Sequence, residues 1–208
     1  MSCVFLIKID RSPRHGLTLV ELLVGFTLTV LLLGLLFQFL IPALKISRRT
    51  TLRAEMQQRA TLAMREMVSE IEQTTVFGTS ISPDSHTVAV HPVVEVSQNG
   101  RRIYADHLIV YAFIPERQEI VRGLWRNGTD PGTEAPRRLS AAELSGIEGR
   151  LSQDRVMVDD VEEFELTHSG DTGFLQLPLL CRLVLKKSEE SGSRQFELVR
   201  SISPRNQQ

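Results

Sequence analysis

The sequence predicts an α+β protein in which one long N-terminal helix, membrane-spanning in its first half and amphipathic in its second, packs on a mostly antiparallel β-sheet domain. Three observations carry this expectation. Gly16 to Ile41 reads GLTLVELLVGFTLTVLLLGLLFQFLI, and the 25 residues after Gly16 hold a single charge, Glu21; about 20 apolar residues suffice to cross a bilayer as a helix. Beyond Pro42, apolar residues recur at helical spacing as far as Ile71. From Gly78 onward, short runs rich in valine and isoleucine alternate with Gly, Pro, Asn and Asp clusters, the pattern of strands and turns. A helical segment followed by a run of strands is the α+β order.

The apolar run is too long for the hydrophobic region of a cleaved secretory signal, about 7 to 15 residues. Its far edge, Ile41-Pro42-Ala43-Leu44-Lys45, also offers no Ala-x-Ala cleavage pair, so the segment is read as retained. After it, Leu52, Met56, Ala60, Ala63, Met67 and Ile71 form one stripe, while Arg53, Glu55, Gln57, Arg59, Arg65, Glu66 and Glu70 fill the other faces, the mark of an amphipathic helix. A helix from Leu17 to about Glu72, kinked at Pro42, would be about 84 Å long, more than any bilayer accommodates. Its second half is therefore expected on a soluble domain, with Met56, Met67 and Ile71 as core contacts there rather than as the seam of a separate coiled coil.

Gly78 and Ser82-Pro83-Asp84 break the helical pattern. Thr87 to Ser97 is expected to form one strand, Asn99-Gly100 a type I′ turn, and Arg101 to Ala105 the return. His107 to Ile114 and Glu119 to Arg126 make a second hairpin around Pro115-Glu116-Arg117-Gln118. Arg126 to Pro136 is a loop dense in glycine and proline, and Ser140 to Leu151 is irregular or briefly helical. Val156 to Thr167 resumes strand character. A last hairpin pairs Leu179–Lys187 with Gln195–Ile202 around Glu189 to Ser193, ahead of a polar tail from Pro204 to Gln208.

At 208 residues the chain is sized for one domain plus a membrane segment. Its formal net charge of −1 gives no nucleic-acid footprint. The first 16 residues hold Lys8, Asp10, Arg11 and Arg14, net +2, which leaves −3 for the remainder. Of the two cysteines, Cys3 lies in those first residues and Cys181 stands alone after them, so no disulfide is expected within the part that follows Gly16. Three cations (Lys8, Arg11, Arg14) precede the apolar run and five (Lys45, Arg48, Arg49, Arg53, Arg59) follow it within 18 residues. By charge bias alone, the side after the run would face the cytoplasm.

Behind the short leader, Gly16-Leu17-Thr18-Leu19-Val20-Glu21 resembles the prepilin peptidase motif of type IV pilins and type II secretion pseudopilins. The resemblance implies cleavage after Gly16, methylation of the new amine on Leu17, and an assembly role for Glu21, fifth in the mature chain. Leu17 stands where the family usually has phenylalanine. Three further stretches, Ile120-Val121-Arg122-Gly123-Leu124-Trp125-Arg126, Val158-Asp159-Asp160-Val161-Glu162-Glu163-Phe164-Glu165 and Leu177-Pro178-Leu179-Leu180-Cys181-Arg182-Leu183-Val184-Leu185, resemble the J-type minor pseudopilins. Together these likenesses imply a pilin-like fold with a leader peptide at 1–16, a transmembrane and assembly helix at 17–41, its amphipathic continuation at 42–77 and a β-rich periplasmic domain at 78–208. The implied setting is the bacterial inner membrane, crossed once, with the C-terminal domain in the periplasm, against the charge bias. The implied partners are a prepilin peptidase, other minor and major pseudopilins and an inner-membrane assembly platform, with no cofactor and no nucleic acid.

Elementary geometry bears on Glu21 as well. An acidic side chain at the middle of a spanning helix costs roughly 2.5 to 3.5 kcal/mol on insertion scales. Five residues of helix span only about 6 Å, so a helix starting at Leu17 does not easily fold its own amine onto Glu21. A staggered neighbour can bring one. The other reading of Glu21 is a carboxylate at headgroup depth near the end of an ordinary signal anchor.

Little else in the chain points to chemistry. No Gly-x-Ser-x-Gly elbow is present, and Gly146, Gly149 and Arg150 lack the Gly-Lys-Ser/Thr end of a phosphate loop. His86 and His91, five apart in an expected strand, would point to opposite faces; His107 and His168 stand alone. The acidic run Asp154, Asp159, Asp160, Glu162, Glu163 and Glu165 is the one cation candidate. As a regular strand it would put Asp160, Glu162 and Phe164 on one face and Asp159, Val161, Glu163 and Glu165 on the other, a solvated surface rather than a calcium loop. Trp125 and Phe113 are expected to pack a core. With no such chemistry in view, the function that the family resemblance implies is non-enzymatic, that of a minor pseudopilin at the tip of a secretion pseudopilus. The alternatives are a minor pilin of a type IV pilus or DNA-uptake machine and, from another class, a signal-anchored periplasmic enzyme or binding module.

Overall fold

The computed structural model describes residues 18–126, 133–168, 175, 177–189 and 192–204. The chain divides into two compact units, residues 1–50 and 51–208. One helix, α1, runs Leu19–Glu72 with Pro42 inside it. Among the described residues it is the one helix long and apolar enough to cross a membrane, and its most apolar stretch is not buried at all. Within that stretch the polar side chains fold back onto the helix. The Thr27 hydroxyl donates to the Leu23 carbonyl at 2.8 Å and Thr29 to Gly25 at 2.8 Å, which leaves exposed Gln38 as the uncharged side chain there without such a bond.

In the second unit the same helix behaves differently. Met56, Ala60, Ala63, Met64, Met67 and Ile71 are buried, each large one contributing about 1.5 to 3 kcal/mol of hydrophobic stabilisation. The expected stripe is there, widened by Met64, with Leu52 only half-buried. Among the described residues ten strands follow: β1 (Thr79–Ile81), β2 (Thr87–Val90), β3 (Val93–Val96), β4 (Arg102–Tyr104), β5 (Leu108–Ile114), β6 (Glu119–Trp125), β7 (Ser152–Val158), β8 (Val161–His168), β9 (Leu179–Glu189) and β10 (Gly192–Ile202), with a short helix α2 (Ala141–Leu144) after β6. They form a five-stranded sheet in the order β1-β2-β5-β6-β7, a three-stranded sheet β10-β9-β8 and a two-stranded ribbon β3-β4. Every pairing is antiparallel. The α+β class expected from the sequence is the class observed.

Packing explains the composition of the central strand. Along β5, Ile109 and Tyr111 enter the core that α1 lines, whereas Leu108, Val110 and Ala112 enter a second core with Ala89, Trp125, Leu139, Leu144 and Ile147. A strand covered on both faces must be apolar throughout. Phe164, Leu166, Leu179, Cys181, Leu183 and Ile202 of the smaller sheet complete the first core. Gly123 of β6 allows the closest approach beneath the second core, since a Cβ there would stand 2.7 Å from Leu151 Cβ.

Three expectations are corrected in detail. Thr87 to Ser97 is not one strand: β2 ends at Val90, and after His91-Pro92 the chain leaves the large sheet to form the ribbon. Proline has no amide hydrogen for a ladder, and the His91 amide turns to the Gly78 carbonyl at 2.8 Å. Asn99-Gly100 is not a two-residue type I′ turn, because Gly100 has φ 75° while Asn99 is not in the left-handed region. Gln98, Asn99 and Gly100 instead make a three-residue loop, closed by Ser97 N–H donating to Arg101 O and Gly100 N–H to Ser97 O, both at 2.8 Å. Val156 to Thr167 is two strands in two sheets, separated at Asp160 with φ 59°. A register shift between Val161 and Glu163 then buries both Val161 and Phe164 on one side, so the expected alternation of the acidic run does not hold. The other two hairpins stand where expected, with Ile114 opposite Glu119 and Glu189 opposite Gly192.

Candidate functional site

Gly16 and Leu17, with the whole leader, lie outside the described residues. Glu21, the third residue expected to matter, is exposed in the first turn of α1. Its carboxylate Oε2 accepts from the Thr18 amide at 3.0 Å and from the Thr18 hydroxyl at 3.1 Å, and the Thr18 hydroxyl accepts from the Glu21 amide at 3.3 Å. This is a reciprocal capping box, in which Thr-x-x-Glu satisfies amide donors that the first turn of a helix leaves open. The motif was legible in Thr18-Leu19-Val20-Glu21 and went unread there. A carboxylate has four acceptor positions, and Oε1 accepts nothing from another described residue. The site therefore holds one negative charge, locally oriented, with one oxygen open.

The soluble half carries a second cluster, which fixes α1 to the large sheet. Arg122 of β6 forks onto Glu70 of α1, Nη2 to Oε1 at 2.8 Å and Nε to Oε2 at 3.2 Å. The hydroxyl of fully buried Tyr111 donates to the same carboxylate, and burial, then the Glu70 charge, pushes that hydroxyl far above the ordinary phenol range. Glu66, one turn earlier, meets Arg155 of β7 and lies 3.6 Å from Arg122. Two carboxylates on one helix face thus meet two guanidiniums on adjacent strands. Planar forks of this kind hold orientation as well as charge.

Four of the six acids in the run are paired with cations. Asp159 takes Arg59 of α1 at 2.6 Å, Asp160 lies 3.7 Å from Lys187, Glu162 meets Lys186, and Glu163 takes Arg182 at 2.7 Å. Among the described residues no group of three or more His, Cys, Asp or Glu side chains is arranged to hold a metal ion. The histidines sit apart. His107 contacts Asp106 at 2.7 Å and His86 is half exposed near Asp84. His91 is buried, its Nε2 2.7 Å from the Ala105 carbonyl and its Nδ1 accepting from the Arg137 amide at 2.9 Å. A carbonyl requires N–H and an amide requires a lone pair, so the two bonds select the neutral ring protonated on Nε2. Burial holds its pKa below the usual histidine value, with His107 and Arg137 acting in the same direction against the Ala105 bond. Cys181 is buried with its thiol 3.8 Å from the Met67 sulfur and its pKa pushed up to about 12 by burial, an inert thiol. Trp125 is buried in the second core and Phe113 is half-buried against the first.

Compared with known proteins, the chain matches no family model, no curated protein and no solved structure at a significant level. The arrangement in hand is a long apolar N-terminal helix continuing into a helix that lines the core of an antiparallel β domain, compatible with a pilin-like fold.

Proposed function

We propose that this chain is a non-enzymatic minor pseudopilin of a type II secretion system, cleaved after Gly16 by a prepilin peptidase and methylated on Leu17. In this reading, residues 1–16 are the leader, 17–41 the inner-membrane and assembly helix, 42–77 its amphipathic continuation and 78–208 the periplasmic domain. Other minor and major pseudopilins and the assembly platform are its partners, and its place is the tip, where assembly starts. One observation carries the reading: a single carboxylate at the start of the apolar, exposed first half of α1. The capping box gives that carboxylate a local reason to exist, yet Oε1 stays open for a cation from outside the chain. The methylated amine of a staggered sister subunit is a cation of the right size at the right depth, and pairing removes the cost of two charges in lipid.

The test begins with the mature N-terminus. Mass spectrometry is expected to find Leu17 first and heavier by one methyl group, whereas an intact Met1 in cells with a working peptidase would defeat the processing step. Glu21→Gln then separates the two roles of the side chain, because glutamine also completes a capping box but carries no charge. Membrane insertion is expected to persist and secretion to fail. Normal secretion by Glu21→Gln would leave the carboxylate as a helix cap and nothing more.

A further inference from the structure

We propose that Lys45, Arg48 and Arg49, on the stretch of α1 just past the apolar run, form a cationic collar that binds the phosphates of anionic phospholipid headgroups. The proposal rests on reading residues 17–41 as a membrane span. All three side chains are exposed and none forms an ion pair with another described residue. No Asp or Glu lies between Glu21 and Glu55, and Glu55 is itself engaged by Arg59. The collar therefore has no carboxylate of its own to neutralise it.

Position selects the occupant. Counted from Ile41, the three residues stand about 6, 10 and 12 Å along the helix axis. The headgroup layer reaches roughly 5 to 8 Å beyond the hydrocarbon, and long cationic side chains lie back toward it with their stems on apolar surface. Leu44 and Ile46, both exposed and flanking the cations on either side of the helix, give those stems and the layer that surface. On a 3.6-residue helix the three fall within an arc of about 100°, so their charges converge on one side. Acidic protein would meet the charge but not the exposed leucine and isoleucine flanking it, whereas an anionic bilayer surface meets both. The collar also gives the cations after the span a use that is independent of the positive-inside rule.

The full chain, reconstituted in vesicles of phosphatidylcholine with or without phosphatidylglycerol, tests this with spin-labelled lipids. Labelled phosphatidylglycerol is expected to be immobilised beside the protein at least about threefold more than labelled phosphatidylcholine, since each cation near the surface is worth about fivefold in attraction at low salt. High salt is expected to remove the preference, as is the triple variant Lys45→Gln, Arg48→Gln, Arg49→Gln, with insertion unchanged. Equal immobilisation of the two lipids, or a preference that survives the triple variant, overturns the collar. Alkaline carbonate distinguishes this from failure of the span itself: a chain washed off the vesicles overturns span and collar together, and a chain retained without lipid preference overturns the collar alone.

Discussion

Leu32 and Met67 sit on the same helix and meet opposite fates. Leu32 lies among residues that are all exposed from Thr18 to Thr50, whereas Met67 is 1% exposed, against Cys181. Hydrophobicity alone does not separate them, and the surroundings do. In the second unit, Met67 is covered by strands whose own apolar residues point toward it; around Leu32 no described residue supplies cover, and on the proposed reading a bilayer does.

The largest effect expected from that contrast comes from one charge placed at each position. Met67→Lys puts an unpaired cation in the core and is expected to unfold the β domain, a loss of about 4 kcal/mol or more, read from thermal unfolding followed by Trp125 fluorescence. Leu32→Lys is expected to leave that unfolding within about 0.5 kcal/mol of the parent while costing roughly 3 kcal/mol in membrane insertion. Equal destabilisation by both would break the contrast. A smaller effect sharpens it on the buried side. Arg122→Met strands Glu70 beside Tyr111, and the denaturant midpoint is expected to report a loss of about 2 kcal/mol. Adding Glu70→Gln is expected to restore most of it, because the neutral amide oxygen still accepts from the Tyr111 hydroxyl and no charge is left unpaired.

The smallest effect is a pH dependence from His91. Its folded pKa is depressed, so below the ordinary histidine value of about 6.5 the unfolded chain binds a proton that the buried ring refuses. Stability from this group is complete above that pH, falls as the pH drops through it, and levels off below the folded pKa. In full-length protein held in neutral detergent, stability is expected to fall between pH 7 and 5, and His91→Gln, which can donate and accept in place of the ring, is expected to remove that part of the slope.

What could be read along the chain was what repeats along it. The stripe from Met56 to Ile71 and the hairpin on Pro115 to Gln118 are local patterns, and both stand in the structure. His91-Pro92 and Asp159-Asp160 were misread because valine-rich or alternating residues on either side continued the strand period across a break. The break was signalled only by a proline and by an aspartate tolerant of positive φ. The fork of Arg122 on Glu70 joins residues 52 apart in sequence, and nothing near either residue announces the other. The Thr18 and Glu21 cap has its usual Thr-x-x-Glu spacing, but that spacing coincides with the peptidase-like motif, which gives the same carboxylate a second explanation.

The inward-turned hydroxyls of Thr27 and Thr29 bear on how the anchor sits at rest. With those two tied to their own backbone, the polar side chains still facing outward on the apolar run are Glu21 near one end and Gln38 near the other, about 25 Å apart along the axis, slightly less than the roughly 30 Å of hydrocarbon in a bilayer. On the proposed reading as a membrane span, sliding the helix up or down drags one of the pair deeper into oil while freeing the other, which gives the rod one favoured height. Lifting the proposed subunit out of a bilayer would then have to overcome that detent first.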